Sequence, residues 1–445
     1  MLTPCQLKQI AELVHHEVVP ATGCTEPAAV ALTVAYAASL LEDRDQLSRV
    51  EVLLSANMLK NALGVGIPGT SMFGIPIAIA LGVILARPEK QLELLDCFSC
   101  EELQRAKQLV DSGLITIGLK EGEGIDKLYV EALLEDTAGH CARAVLCRTH
   151  TGLTELELDG VPQQASRQKV ETEREGTPCP EQDTDIRLNF DLVYEYSLTG
   201  PIEDMDFIYE AAQQNKRASE YSLEHSCGHQ LGKMMQSDLG KQFFGNTVLS
   251  QMLTYTSSAC DARMDGAPVT VMSNSGSGNQ GISSMLPVLT FAEHQGATRE
   301  QATRALMLSS LIVIYIKQQL GRLSCLCGMV VSGVGTACAL TYLLGGTRDQ
   351  AIGAIKNMIG NVAGMICDGA KPSCSLKAST GVGSAMIAAL LSMQGQVVTG
   401  NEGIVDEDID RCISNLAELG REGMALTDQH VLKIMTSKKA KAAAH

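Results

Sequence analysis

The stretch Leu323–Thr380, LSCLCGMVVSGVGTACALTYLLGGTRDQAIGAIKNMIGNVAGMICDGAKPSCSLKAST, holds five of the chain's fifteen cysteines: Cys325, Cys327, Cys338, Cys367 and Cys374. The last two bracket Asp-Gly-Ala-Lys-Pro-Ser. Pro372 has no amide hydrogen and Gly369 tolerates backbone angles closed to other residues, so this segment is a bend and not a continuing helix. Two thiols carried on one bend can face one point. Around it, residues 328–344, 349–366 and 378–395 read as helices, the first two rich in Gly and Ala as close packing around a site requires.

Paired cysteines on a bend fit a metal or cluster site, a redox pair, or coincidence in a cysteine-rich chain. Cys-x6-Cys matches neither the Cys-x2-Cys pairs of zinc ribbons nor the Cys-x2-Cys-x2-Cys run of bacterial ferredoxins. Spacing alone leaves all three open.

Three further motifs accompany MICDGAKPSC at 365–374: Gly-Cys24-Thr-Glu-Pro, SNSGSGNQG at 273–281, and LSCLC around Cys327. Together and in this order they resemble the L-cysteine desulfidase family, itself distantly related to the iron–sulfur L-serine dehydratases. The resemblance runs from about Val18 to about Met435. It implies a [4Fe–4S] cluster held by cysteines, and elimination of hydrogen sulfide from L-cysteine to leave pyruvate and ammonia. Cys327, Cys367 and Cys374 correspond to the cluster ligands. Cys24 corresponds to the fourth motif cysteine, as a ligand or as the base that removes the Cα proton. Cys325 is the neighbouring alternative to Cys327. The resemblance also places the segment at 58–70 near the active site, with Asn57, Lys60 and Asn61 as its polar candidates for substrate binding.

The residues carry their own argument beside the resemblance. Thr3-Pro4 opens a first helix that ends before Pro20, and Pro27 opens a second through Leu41, so Cys24 lies in the break, beside a helix N-terminus whose partial positive charge favours thiolate. A buried cysteine in a tight turn is the alternative. Glu26 reads equally as a helix-start carboxylate or as a binder of substrate ammonium. The Ser-, Asn- and Gly-rich loop offers backbone amides as an anion-binding nest, with Ser273, Asn274, Ser275, Ser277 and Asn279 able to hydrogen-bond a carboxylate. Arg263 and Asp265 complement the two charged ends of an amino acid, or pair with each other. His225 and His229 are read as satisfied polar residues at a helix end, and Cys97 and Cys100 as incidental cysteines on a helix.

Thirty-five basic against fifty-one acidic residues give a net charge of −16, which opposes binding to nucleic acid or anionic lipid. The most apolar stretch, Met72–Ala86, is shorter than the roughly 20 residues a bilayer requires and reads as a buried helix. The cysteines form no secretory framework and no signal segment is read at the start, so a cytoplasmic protein with reduced thiols is expected. The Gly- and Ala-rich helices suit a homodimer. The fold class expected is α+β: a predominantly helical catalytic domain carrying the cluster site (1–46 and 201–445) and a smaller α+β lobe with an antiparallel sheet (47–200). Within the lobe's span, 161–186 reads as a polar surface excursion; the SKKAKAAAH end reads as a frayed tail. L-Serine dehydration and a non-catalytic iron or redox sensor are the competing functions.

Overall fold

The computed structural model describes residues 2–122, 124–163, 186–321 and 323–437. Most of the 161–186 excursion and nearly all of the terminal tail lie outside the described residues. The chain forms two compact units, each discontinuous in sequence. The first comprises residues up to 21, then 186–367 and 372–425; the second comprises 22–163, 368–371 and 426–437.

The first unit is helical and is built around Gly328–Leu343, which packs against Arg299–Leu320, Gly278–Gln295, Arg348–Val362 and Cys374–Met393. Every residue from Met329 to Thr341 is buried, so this helix has no solvent face. Small residues make that possible: a Cβ on Gly335 would stand 2.4 Å from the Ser309 carbonyl oxygen. The flanking helices start where their sequence dictates. Thr298 with Gln301, and Thr347 with Gln350, form reciprocal capping boxes.

The second unit carries a six-stranded sheet in the order Ile115–Leu119, Leu47–Leu54, Tyr129–Asp136, Cys141–Cys147, Leu153–Leu158 and Val161–Pro162. Strand Leu47–Leu54 shows the alternation of a half-buried strand, with Val50, Val52 and Leu54 inward. The sheet is mixed where an antiparallel one was expected. Leu47–Leu54 runs parallel to Ile115–Leu119, because some sixty residues of helical crossover separate them and a crossover of that length permits parallel pairing. Thr25–Ala38 belongs to this unit and not to the first. It packs along Ile75–Leu85 and across the strands Tyr129–Asp136 and Cys141–Cys147. Gly82 lets the two helices touch, since a Cβ there would lie 2.6 Å from the Ala31 carbonyl oxygen.

Candidate metal centre

Two loops of the first unit are zipped together at the cysteines. The Cys327 amide donates to the Met365 carbonyl at 3.0 Å, the Cys367 amide to the Cys325 carbonyl at 2.7 Å, and Leu326 bridges Ile366 between them. Side chains alternate in such an antiparallel bridge, so Cys325, Cys327 and Cys367 share the face opposite Leu326 and Ile366. Cys327 is the N-cap of Gly328–Leu343, and Cys374 is the first residue of Cys374–Met393. Burial raises the proton affinity of the Cys327 thiol, and the neighbouring Cys367 and Cys374 raise it further. Among the described residues, no cysteine is paired in a disulfide, and no three Cys, His, Asp or Glu side chains are drawn together at the spacing of metal ligands. Cys367 and Cys374 each lie near Cys327. Their chemistry, three thiols offered from loop and helix ends, suits iron–sulfur ligation.

A third helix end joins them. Gln280, in the first turn of Gly278–Gln295, lies against Gly328, where an added Cβ would meet its side chain at 2.8–2.9 Å. Three helices of sixteen or more residues therefore direct their positive ends toward one locus, which favours thiolates and other anions alike.

The SNSGSGNQG loop is less open than its composition suggests. Ser275 and Gly276 both adopt left-handed backbone angles, at φ +49° and +78°, and make a tight turn closed by reciprocal Asn274–Ser277 backbone bonds. The Ser273 hydroxyl donates to the Val19 carbonyl at 2.8 Å, and the Asn274 amide to the Ser310 carbonyl at 3.1 Å. Ser275 donates to the Asn274 side chain, and the Ser277 hydroxyl accepts from the Gln280 amide. Ser273, Asn274 and Ser275 thus build the loop from within. Arg263 is buried behind it and donates to Asn279 Oδ1 at 3.2 Å, while its Nε has no hydrogen-bond partner. Among the described residues no carboxylate pairs with it, Asp265 included.

Two residues of this locus escape a sequence reading. Cys260 is fully buried, and burial followed by the nearby Cys374 holds its thiol strongly protonated. Asp261 accepts from the His229 and Leu231 amides at 3.2 and 3.0 Å and from the Ser375 hydroxyl, beside Cys374. Burial raises its pKa. The only local signal is their place in a polar run inside a helix otherwise buried along its length. His225 stacks on Tyr221, and Cys97 and Cys100 are exposed.

The second unit holds the remaining candidates. Cys24 is the N-cap of Thr25–Ala38 and its Sγ donates to Glu26 Oε2 at 2.8 Å; Asn61 donates to the other Glu26 oxygen at 3.1 Å. Glu26 is thus bound to the Cys24 thiol and to Asn61. Lys60, 1 % exposed, pairs with Asp428, which also accepts from Asn57 at 2.7 Å. Gly369, between Cys367 and Cys374, has φ +90°, and a Cβ there would fall 2.2 Å from the Lys60 carbonyl oxygen.

Residues 89–433 match the family model described as serine dehydratase alpha chain. The chain belongs to the serine dehydratase alpha chain family. Relatives match over nearly its whole length. It is 54 % identical over 432 residues to a UPF0597 protein of Porphyromonas gingivalis, covering 97 % of this chain and 99 % of that one. It is 40 % identical over 445 residues to one of Oleidesulfovibrio alaskensis (99 % and 100 %), and 38 % identical over 438 residues to one of Chromobacterium violaceum (97 % and 98 %). The serine dehydratase alpha chain family is one of iron–sulfur lyases, so the expected kinship with iron–sulfur serine dehydratases holds.

Proposed function

We propose that this protein is an L-cysteine desulfidase, converting L-cysteine and water to pyruvate, ammonia and hydrogen sulfide in the cytoplasm. The observation that carries the substrate class is Arg263: a buried guanidinium with an unpartnered Nε, behind an amide-rich turn that reaches Gly328 beside Cys327. A buried cation without a counter-charge is costly. A substrate carboxylate supplies the missing anion through charge-assisted hydrogen bonds.

A [4Fe–4S] cluster held by Cys327, Cys367 and Cys374 supplies, when bound, a Lewis-acidic iron for the leaving group. The chain's own residues do the rest. Arg263 and Asn279, with the amides at the start of Gly278–Gln295, orient the carboxylate. The resemblance assigns removal of the Cα proton to Cys24, whose own thiol proton would first pass to its hydrogen-bonded neighbour Glu26. As that C–H bond breaks, its electron pair forms the Cα–Cβ double bond and the Cβ–S pair leaves with sulfide. The resulting 2-aminoacrylate tautomerises and hydrolyses to pyruvate and ammonia.

L-Serine is the second reading, favoured by the family description; it differs only in the leaving atom. Anaerobic reconstitution and parallel assays decide, with L-cysteine expected to give equal pyruvate and sulfide and a higher kcat/KM than L-serine. Higher turnover of L-serine assigns the dehydratase, and no pyruvate from either assigns a non-catalytic cluster protein. Cys367→Ala should lose the cluster's colour, while Cys24→Ala should keep colour and lose turnover.

A further inference from the structure

The second unit holds a cavity of about 810 Å³ that no cysteine lines. Leu47–Leu54 and Ile115–Leu119 are neighbouring parallel strands, and Ser55 and Lys120, the residues that follow their carboxyl ends, both line it. Ligands of open α/β sheets sit outside the carboxyl ends of parallel strands. One wall is the edge strand itself, at Ile117 and Leu119; another is the helix Ala425–Ser437, at Leu432 and Lys433. The lining is apolar with a charged border. Lys120, Lys127 and Lys433 come from three parts of the chain, against two carboxylates, Glu121 and Asp126. Asp126 accepts from the Leu128 amide at 2.8 Å, and Glu121 is exposed. Lys120 pairs with Glu131, whereas the Lys433 ammonium has no carboxylate partner among the described residues.

Two of the elements around this cavity also seat the cysteine bend. Gly369 rests on the Lys60 carbonyl, in the helix Ala56–Ala62 whose Ala56, Asn57 and Leu59 line the cavity. Met435 of the helix Ala425–Ser437 lies against the same glycine, its methyl 3.5 Å from where a Cβ would stand. That second helix is lightly held. Among the described residues of Ala425–Ser437, Leu432 alone is buried, and Leu426 and Ile434 are more than half exposed. A ligand in the cavity adds contacts to a helix that has few, and so steadies what leans on it.

We propose that this cavity is an effector site for an amphipathic organic anion, its apolar body on Leu119 and Leu432 and its acidic head at Lys433, and that occupancy steadies the bend between Cys367 and Cys374. The volume lies within the roughly 300–1,000 Å³ of small-molecule sites, which join an apolar lining to a few polar groups. On a chain of formal charge −16, an anion is admitted where lysines gather. The assignment holds whichever amino acid the protein consumes, since Arg263 has no part in this cavity.

The test uses full-length protein purified anaerobically and titrated by fluorescence with 8-anilinonaphthalene-1-sulfonate. N-phenyl-1-naphthylamine, which has the same rings and no charge, is titrated in parallel. The sulfonate should occupy one site per chain and bind roughly tenfold or more tighter than the uncharged probe, as one charge-assisted contact supplies. Lys433→Glu should remove that roughly tenfold advantage, with far-UV circular dichroism and the uncharged probe's affinity unchanged. Phe243→Ser, in an exposed apolar patch of the first unit, should alter neither titration. Saturating sulfonate should slow iodoacetamide alkylation of Cys367 and Cys374 by about threefold or more, relative to the exposed Cys5, Cys97 and Cys100. Peptide mass spectrometry reads this, and Lys433→Glu should abolish the effect. Equal affinity for the two probes overturns the proposal. So does sulfonate binding that ignores Lys433→Glu or vanishes with Phe243→Ser, or alkylation of Cys367 and Cys374 at a rate the sulfonate does not change.

Discussion

Asp428→Ala isolates the energetics of the second unit. Lys60 is 1 % exposed and its ammonium is held by Asp428, itself about a fifth exposed, while Asn57 donates a second bond to the same carboxylate. Removing that carboxylate leaves a charged amine buried and takes the partner of a buried amide. Breaking a buried pair from one side costs about 3–5 kcal/mol, and the partial exposure of Asp428 sets the expectation near the lower limit. For a unit of this size each kcal/mol moves the midpoint by roughly 2–4 °C, so about 10 °C should be lost. Urea and thermal unfolding followed by far-UV circular dichroism measure it. Lys60→Met in the same background should recover most of the loss, because an apolar replacement removes the stranded charge. A loss below about 1 kcal/mol for Asp428→Ala, far short of a broken buried pair, would refute the reasoning.

Arg263→Met should raise KM for the amino acid roughly 10- to 100-fold through the lost charge-assisted bonds while largely sparing kcat; steady-state kinetics on reconstituted enzyme would show it. Gly281→Ala should destabilise the first unit, since its Cβ would stand 2.0 Å from the Met272 carbonyl oxygen, and a lowered melting temperature is the readout. Burial opposes charge on Glu131, yet its bonds to Lys120 and Arg143 outweigh that and hold its pKa below the ordinary carboxylate value. The stability it contributes is complete above the unfolded pKa and is lost as pH falls through the depressed folded one. Glu131→Gln should therefore flatten the acid limb of the urea midpoint measured against pH.

What the sequence discloses here is local. The Gly369 and Pro372 punctuation announces the cysteine bend, Thr3-Pro4 announces the first helix, and the Gly/Ala content announces the packed helix Gly328–Leu343. What it conceals is set by distant partners. Cys260 and Asp261 look like members of a polar run and gain meaning only when Cys374 and Ser375 arrive more than a hundred residues later. Glu26 has two readings until the Cys24 thiol and Asn61 are seen to bind it. Asn57 and Lys60 stand in the sequence as substrate-binding candidates, and their bonds to Asp428, 371 and 368 residues away, leave no trace near them. The SNSGSGNQG loop reads as a set of open donors because nothing in the sequence shows the Val19 and Ser310 carbonyls accepting from Ser273 and Asn274.

Both units being discontinuous bears on how the chain is made. The second cannot close until residues 426–437 leave the ribosome to meet Lys60, and the first needs residues up to 425 to join an amino-terminal helix synthesised long before. At about 5–20 residues per second, nascent chains spend tens of seconds with neither unit complete. Loading of the proposed cluster would on this account be a post-translational event, and the unfinished chain a natural client for chaperones.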